Sequence, residues 1–137
     1  MKKVLLDTNI ILDIALKREP HFEHSAKIFE LIDSKLILGF ITATTVTDIY
    51  YISKKDKGNK IAIEFISNLI SVVDVIGVDK NTILHALQSK IVDFEDAIQA
   101  AASEYADIEI IITRNVTDFT HSNIKVLSQK ELIKMMK

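Results

Sequence analysis

The chain has 137 residues, 48% of them apolar, and a net charge of -2, enough for one hydrophobic core and a single domain over residues 1–137. It lacks cysteine, which excludes disulfides and thiolate metal sites, and its three Gly and one Pro leave little room for disordered or low-complexity segments. The charge gives no general polyanion-binding signature, Asp7 breaks the first apolar run too early for a signal peptide, and no apolar stretch approaches the roughly 20 residues of a membrane span.

Val4-Leu5-Leu6 is an unbroken apolar run, the pattern of a strand buried on both faces, and it ends at Asp7. Asp7-Thr8-Asn9 offers cap chemistry for a helix through Ile10 to about Lys17, ended by Pro20. A second helix from about Phe22 to Ile32 sets Phe22, Ala26, Phe29 and Ile32 on one side. His21 and His24 share a helical face there, but with no third ligand nearby they read as a surface pair rather than a zinc site. Leu36 to Ile41 reads as a second buried strand, and the threonines from Thr42 to Thr45 cap a helix that carries Asp48 and runs to about Lys55.

Lys54, Lys55, Lys57 and Lys60 surround Gly58-Asn59, either as a solvated turn or as a phosphate-contacting patch. Ile61, Ala62, Phe65, Ile66 and Leu69 then mark an amphipathic helix, Val72 to Ile76 a strand, and Asn81 to Ser89 a short helix. Next comes an alanine-rich helix from Asp93 to Ala106, headed by Asp93, Glu95 and Asp96. Ile108 to Ile112 is a fourth strand leading into Thr113-Arg114-Asn115-Val116-Thr117-Asp118-Phe119. A strand at Ile124 to Leu127 and a helix from Gln129 to Met136 close the chain.

Strand and helix alternate throughout, which predicts an α/β fold: a parallel sheet of about five strands between helices on both faces, three layers in all. Ligands of such sheets bind beyond the carboxyl ends of the strands. Asp7, Asp48, Asp96, Asn115 and Asp118 all fall near such ends and can gather at one edge. Asp93 reads equally well as an N-cap; Asp96, three residues on, shares its helical face but already lies inside the helix.

Converging carboxylates repel one another, and a hard divalent cation such as Mg²⁺ or Mn²⁺ resolves that repulsion with oxygen ligands and retained waters. Bound there, it can activate water against a phosphodiester and stabilise the leaving oxygen. The pattern therefore points to a metal-dependent nuclease. A haloacid-dehalogenase phosphatase would need a second Asp where Asn9 stands. A response-regulator receiver would need an Asp after the strand that ends at Ile76, where Gly77 stands. Gly39, Gly58 and Gly77 assemble neither a P-loop nor a dinucleotide turn.

Leu5-Leu6-Asp7-Thr8-Asn9, Thr45 to Tyr51, Asp93-Phe94-Glu95-Asp96-Ala97 and Ile112-Thr113-Arg114-Asn115 with Asp118-Phe119 resemble, in order and spacing, the PIN domain. The resemblance runs from Val4 to about Leu127. It implies an α/β/α PIN-like fold and a Mg²⁺- or Mn²⁺-dependent cytoplasmic ribonuclease, most often the VapC-like toxin of a toxin-antitoxin pair. Its implied partners are RNA, a small antitoxin and a second copy in a homodimer, with no membrane. Asp7, Asp48, Asp96 and Asp118 would be the catalytic metal-binding acids, with Asn115 as a further ligand and Asp93, Thr113 and Arg114 in support. Thr8 and Asn9 would position Asp7, Thr8 chiefly as a helix cap. Two places depart from the pattern: Asp48 stands where many members have Glu, and Asn115 where many have Asp. The alternative is a non-catalytic module of the same fold that binds RNA or protein and keeps its acids as caps.

Overall fold

The computed structural model describes residues 1–137. Five strands, β1 (Lys2–Leu6), β2 (Ile37–Thr42), β3 (Asp74–Ile76), β4 (Ile110–Ile112) and β5 (Lys125–Leu127), alternate with seven helices. These are α1 (Thr8–Ala15), α2 (His21–Asp33), α3 (Ala43–Lys57), α4 (Asn59–Ile70), α5 (Lys80–Leu87), α6 (Phe94–Tyr105) and α7 (Gln129–Met135). A 3-10 turn, Val116–Phe119, lies between β4 and β5. The strands form one parallel sheet in the order β3-β2-β1-β4-β5, as the alternation of elements predicts.

β1 is central, and its side chains alternate between two cores as strand geometry requires. Val4 and Leu6 join Ile28, Ile41, Ile112 and Leu132 on the face covered by α1, α2 and α7. Leu5 joins Ile111, Ile98, Ala101 and Phe119 on the face covered by α5 and α6. Val4, Leu5 and Leu6 are fully buried, so each layer is held by a continuous apolar surface. No helix is long and apolar enough to cross a membrane.

Several boundaries differ from those predicted. α1 ends at Ala15, before Pro20, because the chain turns left-handed at Lys17 (φ 50) and Arg18 N–H closes onto the Asp13 carbonyl. β3 is confined to Asp74–Ile76, since the Val72 and Val73 amides still close the end of α4 onto Leu69. β4 begins only at Ile110, because the Ile108 amide is held by Ser103 at the end of α6. Helices α3 and α4 are separated by Gly58 alone, whose φ of 90 is a conformation that only glycine adopts without strain.

Candidate active site

Asp7 stands where β1 passes into α1. Its amide continues the sheet by donating to the Ile112 carbonyl, and its side chain is the N-cap of α1. The carboxylate is almost fully buried, yet both oxygens are satisfied. Oδ1 accepts from the Thr8 amide at 2.8 Å and from Gln99 Nε2 at 3.0 Å, and Oδ2 accepts from Thr113 Oγ1 at 2.8 Å. Three donors from three elements hold it in one orientation.

Thr8 is not the cap. It is the first helical residue, and its hydroxyl lies 2.9 Å from Thr45 Oγ1 and donates to Glu95 Oε1 at 3.3 Å. The cap position falls to Asp7 because the helix begins one residue earlier than the apolar pattern suggests. Thr42 caps α3 in turn, and Asp48 on that helix lines the same edge.

At the head of α6, Asp93 is the N-cap and accepts from the Asp96 amide at 3.0 Å, which leaves Asp96 half-buried at the third helical position. Burial, reinforced by the charges of Asp7, Asp93 and Asp118, pushes the Asp96 carboxyl up to about 7. Glu95 is pushed up to about 8, first by a hydrogen bond to Asp48 and next by desolvation. Because Glu95 as a residue is exposed, the contact with Asp48 carries more of that shift than burial does.

The 3-10 turn brings in the last carboxylate. The Asp118 amide donates to the Asn115 carbonyl at 3.0 Å, while Phe119 is buried against the α5–α6 core and pins the turn. Asn115 and Asp118 both line the cleft, so the structure brings the last expected acid and the further amide ligand together.

Six carboxylates, Asp7, Asp48, Asp93, Glu95, Asp96 and Asp118, thus border one cleft of about 400 Å³, with Thr8, Asn9 and Asn115 between them and no Lys, Arg or His. No three of them close around a point as a finished metal cage. An open acid-lined cleft nevertheless suits a hard cation that keeps several waters, and two carboxyls pushed up to about 7 and about 8, in part by neighbouring acids, show negative charge in want of a counter-ion.

Arg114, expected in a supporting role, packs behind the site. It lies outside the cleft, and its Nε stands 3.4 Å from Asp13 Oδ2, without a hydrogen bond between them. Asp13 is fully buried and also accepts from Ser25 Oγ at 3.2 Å; Gln129 Nε2 donates to that hydroxyl at 2.6 Å. Burial raises the Asp13 carboxyl despite the opposing pull of Arg114. Asn9 lines the cleft and accepts from Arg18 Nη1 at 3.4 Å.

Glu95, Gln99 and Asp13 escaped the sequence reading. Gln99 carried a usable signal, since it follows Asp96 by three residues and so shares its helical face. Glu95 lies inside a motif in which the two aspartates alone account for a cap and a metal ligand. Asp13 carried no signal, because a charged residue in the second turn of a helix ordinarily faces water.

Comparison with known proteins identifies the family and the fold. A family model described as PIN domain matches residues 3–117. The chain is 24% identical over 136 residues to Ribonuclease VapC1 of Aquifex aeolicus (strain VF5), covering 95% of this chain and 92% of that protein. Among solved structures, a DNA-bound VapBC from Salmonella typhimurium superposes with a TM-score of 0.72 at 22% identity, over 94% of this chain and 99% of that one. VapBC2 from Rickettsia felis, bound to a fragment of its promoter DNA, gives 0.73 at 15% over 91% and 97%. At such identities the superpositions speak for the fold. With the family model spanning most of the chain and the acids of β1, α3, α6 and the turn after β4 meeting at one sheet edge, the chain belongs to the PIN domain family.

Proposed function

We propose that the protein is a Mg²⁺- or Mn²⁺-dependent endoribonuclease, the toxin of a toxin-antitoxin pair. The observation that carries this is the cleft itself: six carboxylates at the carboxyl edge of a PIN-domain sheet, without a cation among them. Asp7 and Asp93 are N-caps, as a non-catalytic module would have them. Asp48, Glu95, Asp96 and Asp118 cap no helix, and a merely structural role gives no reason to crowd them together.

Asp7, Asp96 and Asp118 would hold the cation, with Asp48 and Asn115 at its margin. A cation held by these residues would supply an activated water and neutralise charge on the phosphate. Gln99, Thr113 and the Thr8 amide keep the Asp7 lone pairs aimed in one direction. The Glu95 carboxyl, pushed up to about 8 beside Asp48, keeps a proton at the cleft and can exchange it with a reacting group. Thr8 holds Glu95 in place for that exchange.

Partners follow from the same features. The anionic cleft suits a small antitoxin that inserts an Arg or Lys, and the structural neighbours include VapBC complexes. Tyr51, Leu84, Leu87, Val92 and Phe94 expose large apolar surfaces, which suits a homodimer. An RNA substrate would suit a cytoplasmic protein.

Incubation with total RNA and Mg²⁺ or Mn²⁺, followed by mapping of cleaved ends, tests the activity. Discrete ends that disappear in Asp96→Asn are expected, and intact RNA under both metals overturns the reading. Co-expression with the product of a neighbouring short reading frame tests the partner through rescue of growth and co-purification.

A further inference from the structure

A strand cleaved in this cleft must be gripped elsewhere, because six carboxylates repel its phosphates. The surface beside the cleft offers a path. The cleft shares Asp93, Asp96 and Asp118 with a second depression of about 530 Å³, which runs between the segment before α6 and the 3-10 turn. That depression shares Ile91 and His121 with a third, of about 300 Å³, bordered by Lys90. Sharing these residues, the three adjoin in series as a trough.

Charge is distributed along it unevenly. The only carboxylate peculiar to the far basin, Glu104, is occupied on both oxygens: Oε2 lies 2.9 Å from His85 Nε2, and Oε1 accepts from Asn123 Nδ2 at 2.7 Å. Lys90 and His121 have neither an ion-pair nor a side-chain hydrogen-bond partner within the chain, and both are exposed at the trough wall. By contrast, the lysines at the α3–α4 junction border none of the three depressions. Acids sit where chemistry is expected, and uncommitted cationic or donor groups sit one step away.

We propose that this trough seats single-stranded RNA flanking the scissile phosphodiester, with Lys90 and His121 binding its phosphates. Backbone-tracking grooves with spaced cations are how proteins hold single strands. The proposal rests on the ribonuclease reading and adds to it the path of the substrate.

The test measures binding of a labelled single-stranded RNA oligonucleotide to Asp7→Asn protein with Mg²⁺ over a salt series, so that binding is read without cleavage. Lys90→Gln on that background should lower the slope of log affinity against log salt by about 0.7, the value for one phosphate contact on a single strand. His121→Ala should weaken binding roughly threefold to tenfold, the scale of one lost hydrogen bond. Lys57→Gln, outside the trough, should change neither. Unchanged slope and affinity in Lys90→Gln and His121→Ala, an equal effect of Lys57→Gln, or no binding by the parent overturns the proposal. Cleavage of RNA by the unsubstituted protein is scored separately. Cleavage with inert trough variants removes the trough alone, and trough binding without cleavage removes the nuclease assignment alone.

Discussion

Arg114 Nε stands 3.4 Å from Oδ2 of Asp13, a carboxylate with no exposed surface. The pair ties α1 to the segment that carries Asn115 and Asp118 into the cleft. Removing the cation leaves a buried charge with only Ser25 as donor. Arg114→Met is therefore expected to destabilise the protein by about 3 kcal/mol, as when one member of a buried pair is lost. Chemical denaturation checks this, and a change within about 0.5 kcal/mol, the scale of an ordinary surface substitution, contradicts it.

Asp7 and Asp96 should respond oppositely to the same change. Asp7 accepts from three donors, so an amide in its place turns an NH₂ toward one of them, and Asp7→Asn is expected to destabilise by about 1 to 3 kcal/mol. Asp96 is held above the usual carboxylate range by burial and by its neighbours' charges, so Asp96→Asn should raise the melting temperature of the metal-free protein above pH 7. Both should abolish cleavage. Parallel thermal melts of the two variants decide the contrast.

The metal-free protein should lose stability as pH rises. Glu95 and Asp96 titrate near 8 and 7 in the fold, against ordinary values of 4.5 and 3.8. Between those limits the native state binds more protons than the unfolded chain, so stability is full below about pH 4 for these two groups and declines through about pH 8. In chelator, the melting temperature should fall from about pH 5 to about pH 8, and Mn²⁺ should remove most of the slope by supplying the missing positive charge. A melting temperature that rises across this window would contradict the protonation assigned to the cleft.

Gln99 should matter without touching the substrate. Its Nε2 is one of three donors that orient Asp7, and the side chain is buried. Gln99→Leu is expected to reduce metal affinity or activity by about 10-fold to 100-fold, the usual cost of losing a partner that orients a metal ligand. Isothermal titration with Mn²⁺ measures it, and an affinity equal to the unsubstituted protein would limit Gln99 to packing.

Asp118 and Asn115 compete for the remaining position. Both reach the cleft, but only Asp118 brings charge, and that charge is felt at Asp96. Asp118→Asn should weaken Mn²⁺ binding more than Asn115→Ala does. The reverse order in a metal titration transfers the role to Asn115.

Local chemistry alone determined a large part of this protein. Apolar runs of the right length and the alternation of strand with helix specify a parallel sheet, and the acids that follow its strands mark the edge where ligands bind. Asp93 as a cap and Asp96 in the first turn also follow from spacing within one helix, because a helix fixes which neighbours share a face. Periodicity does not say which polar side chain of one element meets which of another. Gln99 reaches Asp7 across 92 residues of sequence, and Thr113 reaches it across 106. Glu95 is pushed up by its contact with Asp48 on a separate helix, and Arg114 lies against the buried Asp13 and outside the cleft. Only packing decided these pairings, because a buried carboxylate is stable only where the fold happens to bring a donor or cation to it.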